Sequence, residues 1–278
     1  MTASRARPPE QSPARVLYDA AWHVIRARLG EGLLVAGICG AQGSGKTTLA
    51  RALAMRAESE GIATAALSLD DLYLSRAERE GLGRDVHPLL RTRGVPGTHD
   101  VALGLAMISA LEEGDAARLP RFDKGRDDRA PESDWPFAPA HCRLLILEGW
   151  CLGAVPQDEA SLAEPVNALE RDEDPNAVWR SYANRALQAE YGELFARLDL
   201  LVLLAAPGFE VVRDWRIEQE LALRAAGAPA AMDDAAITRF IQHYERLTRH
   251  ILDEMPARAD LVAWLNRDRT VRRIVTRP

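Results

Sequence analysis

The sequence predicts an α/β fold: a five-stranded, mainly parallel sheet with helices on both faces and a lid and insertion region. Three observations predict it. Five short apolar runs are separated by helical patterns, as expected of strands buried on both faces. Gly40 to Thr47 form a complete G-x-x-x-x-G-K-[ST] loop directly after the first run, which makes the fold a P-loop NTPase. Acidic residues close two other runs, at the strand ends where open α/β sheets bind ligands.

Residues 1–14 are polar and proline-rich and are expected to be a disordered tail, with 15–278 as one domain. A helix is expected over 16–29, with Val16, Ala20, Val24 and Ala27 on one face and Gly30 and Gly32 ending it. The first strand is 33–39. After the loop, Leu49, Leu53 and Ala57 recur at helical spacing. The second strand is 63–69 and ends at Asp70 and Asp71. An insertion near 75–141 holds a polar stretch rich in Gly and Pro, a helix at 101–113 and a charged loop at 118–141. Loops this long inside a compact domain are functional or disordered.

The third strand begins at Arg143 and closes on Glu148 and Gly149. A helix lies within 175–197, and the fourth strand is 198–204. Residues 209–225 are helical and belong to a second insertion near 209–230, the lid. Residues 233–255 form an amphipathic helix with Ile237, Phe240, Ile241, Tyr244, Leu247 and Ile251 on one face. The fifth strand is 259–265.

Composition narrows the function. The 47% hydrophobic content suffices for one α/β domain with insertions. A net charge of −6 gives no overall basic field, so no nucleic-acid partner is expected. No run approaches the roughly 18 apolar residues of a membrane span, and no membrane partner is expected. Cys39, Cys142 and Cys151 form no Cys-x-x-Cys pair and read as reduced core thiols of a cytoplasmic protein.

The loop residues Gly40, Ala41, Gln42, Gly43, Ser44, Gly45, Lys46, Thr47 and Thr48 are the candidate ATP cradle. Glycines let backbone N–H groups curl around phosphate, and the helix N-terminus adds its positive end. Lys46 would reach the β- and γ-phosphates, and Thr47 would ligate Mg²⁺, with Glu148 as the strand-end acid of the metal shell. Asp70 or Asp71 could take a proton from an attacking hydroxyl, or could cap a turn; spacing leaves both readings open. Arg213 and Arg216 lie one turn apart, with Arg224 on the same face. They read as a solvated stripe or as a lid that meets the transferred phosphoryl group. Arg121, Lys124, Arg126 and Arg129 carry the same two readings. No D-x-x-G follows the loop, which excludes the GTPase pattern and favours a small-molecule kinase.

The segment Ser68 to Tyr73 resembles the S-x-D-x-[FL]-Y motif of the uridine kinase and phosphoribulokinase superfamily, and Leu147-Glu148-Gly149 resembles its third-strand ending. The chain is similar, more narrowly, to plant-type D-glycerate 3-kinases. The likeness rests on 93–100 (RGVPGTHD), 119–124 (LPRFDK), 148–150 (EGW) and 212–216 (VRDWR), and runs from about Leu33 to about Val275. The resemblance implies Asp70 as catalytic base and Arg213 and Arg216 in the lid. Phe122 stands where many relatives carry Tyr.

Glycerate is a small carboxylate and needs a guanidinium fork or an equivalent donor set. Tyr73, Arg91, Arg93, Arg121 and Lys124 are the candidate acceptor-binding residues. The expected function is ATP- and Mg²⁺-dependent phosphorylation of D-glycerate to 3-phosphoglycerate. The alternatives are a uridine kinase- or pantothenate kinase-like phosphotransferase, or a non-catalytic ATP-binding regulator.

Overall fold

The structure, a computed structural model, describes residues 13–225 and 234–277. The tail expected at 1–14 lies outside the described residues up to position 12, and the first helix, α1, spans Pro13–Arg28. Then come β1 (Leu34–Gly40), α2 (Lys46–Ser59) and β2 (Thr64–Ser68). The first insertion holds α3 (Arg76–Asp85), α4 (Val101–Glu112) and four two-residue strands: β3 (Ala117–Arg118), β4 (Phe122–Asp123), β5 (Asp128–Arg129) and β6 (Phe137–Ala138). Next are β7 (Leu144–Gly149), α5 (Ala168–Glu173), α6 (Val178–Gln188), α7 (Glu190–Phe195) and β8 (Leu200–Ala205). The chain closes with α8 (Phe209–Ala225), α9 (Asp234–Glu254), β9 (Leu261–Leu265) and β10 (Val271–Thr276).

The main sheet has the order β10-β9-β8-β1-β7-β2, and its five expected strands run parallel. The expected count of five is corrected to six: β10 adds antiparallel to β9. Its alternation is broken by Arg272 and Arg273 and by a register shift at that point, as suits an edge strand with one neighbour. The loop expected at 118–141 is also more ordered than its composition suggested. It folds into the antiparallel pairs β3 with β6 and β4 with β5.

β1, β7 and β8 are buried along their whole length, which is why they read as unbroken apolar runs. Successive side chains leave opposite faces of a strand. On one face Leu34, Ala36, Ile38, Val202 and Leu204 pack against α1, α2 and α8 through Trp22, Ile25, Leu53, Val212 and Trp215. On the other, Val35, Cys39, Leu145, Leu147 and Leu203 pack against α4 and α7 through Ile108, Leu111, Tyr191 and Leu194. Each fully buried Leu or Ile contributes about 1.5–3 kcal/mol, so the two layers dominate stability. Among the described residues no helix is long and apolar enough to cross a membrane.

The segment between α3 and α4 is clamped by aromatic side chains. Trp150 Nε1 donates to Gly94 O at 2.8 Å, and the Tyr244 hydroxyl donates to Arg93 O at 3.1 Å. Gly97 N donates to the Tyr191 hydroxyl at 3.0 Å. Gly94 has φ 139°, and a Cβ there would fall 2.2 Å from Tyr244 Oη. Gly94→Ala should therefore cost about 2 kcal/mol or more, from backbone strain and overpacking together. Gly30, with open space where a Cβ would sit, should accept Ala within about 0.5 kcal/mol. Urea unfolding of the two variants checks the contrast, and equal midpoints would contradict the clamp.

Candidate active site

The turn between β1 and α2 has a backbone that suits glycine. Gly43 and Gly45 have φ 79° and 94°. A Cβ on Gly43 would meet Trp215 Cβ at 2.7 Å, whereas nothing lies within 4 Å of one on Gly45. Gly43 thus lets helix α8 approach, and Gly45 leaves an open face at the start of α2. Gln42 Oε1 and Ser44 Oγ are buried in this turn without a hydrogen-bond partner. Buried polar atoms are rarely left so, and a bound phosphate group is one partner that would satisfy them.

Parallel pairing sets Ile38 of β1 beside Glu148 of β7, which brings Glu148 against the start of α2. The Thr47 hydroxyl donates to Glu148 Oε1 at 2.9 Å, and Lys46 Nζ lies 3.9 Å from Oε2. Glu148 is buried, and Oε2 accepts no hydrogen bond. A hydroxyl and an under-satisfied carboxylate side by side are hard oxygen donors of the kind Mg²⁺ takes.

Ser68 of β2 pairs with the same Glu148, and the chain then turns sharply over Leu69–Leu72. The turn presents Asp70. Its Oδ1 accepts from the Tyr73 hydroxyl at 2.8 Å, and its Oδ2 accepts from Lys124 Nζ at 2.6 Å. Burial alone would raise the Asp70 carboxyl, but Lys124 and Lys46 outweigh it and hold it well below the usual carboxylate range. Asp71 faces another way. It accepts from Phe122 N at 3.2 Å and pairs with Arg121 at 3.4 Å, and burial lifts its carboxyl above the ordinary value. The two aspartates left open by spacing therefore have different jobs here: one faces the lysines, the other anchors the β4–β5 hairpin.

Tyr73 is buried, stacked on His99 with centroids 4.6 Å apart and edge-on to Phe122 at 5.2 Å. Burial pushes His99 down to about 4, so the ring is neutral at pH 7. Arg93 pairs with Asp127 and lies over the Phe122 ring at 5.4 Å. Arg91 is not brought to this cluster: it is exposed, with its stem against Gly83 of α3. Arg213 is exposed on α8, whereas Arg216 lies over the Phe240 ring at 5.7 Å. Burial raises Tyr244, with Asp70 adding and Arg93 and Arg216 opposing. The side chain of Arg224 lies outside those described.

Sequence reasoning missed Arg79 and Arg269 and left Arg129, one of the loop cations, between a solvated stripe and a lid. Arg79 is fully buried, donates to the carbonyls of Leu74, Arg91 and Asp127, and so ties the insertion together. Arg129 joins Tyr73 O to Asp100, the cap of α4. Arg269, in the β9–β10 turn, donates to Gly43 O at 2.8 Å, lies 5.2 Å over Trp215 and pairs with Glu218 at 2.6 Å. Arg79 and Arg269 have no sequence signal beyond being arginines, because each acts across a distance that only the fold closes. All three cysteines are free and buried, and burial pushes Cys39 up to about 12.

No family model matches the chain. The chain is 35% identical over 220 residues to an uncharacterized kinase, mug58, of Schizosaccharomyces pombe, covering 76% of this chain and 78% of that protein. It is 33% identical over 222 residues to the chloroplastic D-glycerate 3-kinase of Arabidopsis thaliana, covering 76% of this chain and 46% of that one. The chain thus spans about half the length of the plant protein. A solved D-glycerate 3-kinase of Cryptococcus neoformans superposes with TM-score 0.77 over 95% of this chain and 98% of that one, at 24% identity, a likeness of fold.

Because Arg269 fixes the Gly43 carbonyl, Arg269→Ala should loosen the glycine turn without disturbing the core. Loss of one charge-assisted hydrogen bond should weaken ATP binding by about tenfold. Calorimetric titration with ATP checks it, and unchanged affinity would make Arg269 a mere surface pair.

Proposed function

The chain belongs to the plant-type D-glycerate 3-kinase family of phosphate-loop kinases, and we propose that it transfers the γ-phosphoryl group of ATP to the 3-hydroxyl of D-glycerate. A kinase with an alcohol acceptor follows from the family; the acceptor's identity is our reading. One observation supports it most: Asp70 stands between Tyr73 and Lys124 within the field of Lys46, so a carboxylate base and a small-anion donor meet at the phosphate loop.

In this reading residues 40–48 cradle the triphosphate, and Lys46 neutralises charge on the β- and γ-phosphates. Thr47 and Glu148 would hold Mg²⁺, which screens phosphate charge. Among the described residues no cluster of three or more His, Cys, Asp or Glu could hold a metal, and such an ion would take its remaining oxygens from phosphate and water. Asp70 accepts the proton of the 3-hydroxyl as that oxygen bonds to the γ-phosphorus. The bond from phosphorus to the bridging oxygen breaks, and ADP leaves with the electron pair. In this reading Lys124 and Arg121 take the glycerate carboxylate, and Arg91, whose stem lies against α3, does not.

The aromatic residues beside Asp70 favour a small acceptor. Tyr73 and Phe122 are buried and already engaged by His99 and Arg93, so they offer no free face for a nucleobase. In this reading 209–225 belongs to the lid, whose Arg213 and Arg216 meet the transferred phosphoryl group; positions 226–230 of the expected lid lie outside the described residues. Three unpaired buried thiols suit a reducing, cytoplasmic setting.

Two measurements test the reading. Asp70→Asn should lower kcat by about 10²- to 10⁴-fold with ATP affinity little changed, since a positioned base is lost and the cradle is not. Asp71→Asn should be milder and act mainly on the acceptor KM, because Asp71 supports the hairpin. Full activity in Asp70→Asn would sink the mechanism. Lys46→Ala should cost about 10²-fold or more in kcat. Coupled ADP release with D-glycerate but not L-glycerate is expected of the wild type; none with either would send the acceptor to another hydroxy compound.

A further inference from the structure

Asp70 is the one carboxylate that the proposed chemistry needs free, yet both its oxygens are engaged. Tyr73, which holds Oδ1, is buried and fixed by stacking. Lys124, which holds Oδ2, is different: its side chain is 59% exposed, against 26% for Asp70. It rises from the β4–β5 turn, where Gly125 N and Arg126 N both donate to Asp123 Oδ1 and fix the backbone. Phe122 anchors the same hairpin in the core. The base of the lysine is therefore held while its head group faces solvent. The other paired cations of this insertion lie on carboxylates with no assigned chemistry: Arg93 on Asp127, Arg121 on Asp71, Arg129 on Asp100. An ammonium on a flexible stem changes partners readily, and an exposed ion pair is weakly held.

We infer that Lys124 is an acceptor-operated cover on the base: it occupies Asp70 in the free enzyme, and the anionic group of the acceptor draws it away and frees Asp70 for the hydroxyl proton. The inference rests on the reading of Asp70 as base and of the acceptor as a small anion. Its consequence is coupling. With ATP bound and no acceptor, water is the competing nucleophile. Its oxygen would bond to the γ-phosphorus, ADP would leave with the electron pair of the broken bond, and one water proton would have to go to Asp70. Lys124 on Asp70 suppresses that step. The acceptor's carboxylate lifts the cover at the moment the right hydroxyl is present.

Lys124→Met keeps the stem and removes the charge. Acceptor-free ATP hydrolysis should rise about tenfold, corresponding to a change of one decade in the barrier step. The acceptor KM should also rise about tenfold, since one charge-assisted contact to the carboxylate is lost. The acid limb of kcat/KM should move to higher pH by about one unit, because removing a cation raises the proton affinity of Asp70. The groups that face Asp70 are Lys124 from the hairpin, Lys46 from α2 and Tyr73; Asp71, His99, Tyr244 and Cys151 also feel its charge. Only Lys124 is changed in the experiment. Lys124→Arg should restore low hydrolysis and the original acid limb.

Unchanged acceptor-free hydrolysis in Lys124→Met, at an unchanged melting temperature, would overturn the cover. So would a higher ATP Kd with an unmoved acid limb, which would give the lysine to the nucleotide. The hydrolysis arm needs no acceptor. A wild type that ignores D-glycerate would therefore defeat the substrate assignment while the cover is still judged on water alone.

Discussion

The site depends on the register of three parallel strands. β7 lies between β1 and β2, and Glu148 is opposite Ile38 on one side and Ser68 on the other. That single row sets the acid beside Thr47 and Lys46 and starts the turn that carries Asp70. A slip of one residue in β7 would send Glu148 to the opposite face and exchange the residues that β7 contributes to each layer. The layers forbid it: Leu145 and Leu147 fit one core, Leu144 and Ile146 the other. Hydrophobic packing, indifferent to phosphate chemistry, thereby fixes the spacing between Glu148 and Asp70.

The insertion that faces this row is built differently. It has no long strands, only two-residue pairs and short helices, and its order comes from buried polar contacts. Arg79 has three carbonyl partners and an ion pair with Asp127 at 3.0 Å. A buried guanidinium is costly unless its donors are met, and here carbonyls of three separate segments meet them. The aromatic clamp of Trp150, Tyr191 and Tyr244 does the same for residues 93–97. The insertion can thus be rich in Gly, Pro and charge and still be ordered.

This division explains what was legible in the sequence. The core strands and long helices could be read because their apolar spacing is a local pattern. The glycine turn could be read because its chemistry is contiguous. Helices 209–225 and 234–254 fall within a residue or two of expectation. The sixth strand was hidden because Arg272 and Arg273 interrupt its alternation. The hairpins within 118–141 were hidden because their partners are side chains such as Asp71 and backbone groups that pattern cannot see. Spacing alone could not rank Asp70 over Asp71. The structure separates them by what faces each: two lysines for the first, Arg121 and the Phe122 N–H for the second.

The chain also resolves an electrostatic conflict. It carries a net charge of −6, yet the proposed reaction gathers a triphosphate and an acceptor anion at one strand end. Cations must be concentrated there, and a bare cluster of them would repel itself and hold any anion indiscriminately. The structure answers by matching cations to carboxylates: Arg93 with Asp127, Arg121 with Asp71, Arg129 with Asp100, Lys124 with Asp70. An incoming anion then gains only the difference between its own contact and the one it replaces. Arginine forks partnered inside the insertion resist that exchange, and the exposed lysine resists it least. Under the proposed reaction, discrimination among anions becomes a matter of which one reaches Lys124 while presenting a hydroxyl to Asp70, so that recognition and base release would be two consequences of one displaced ion pair.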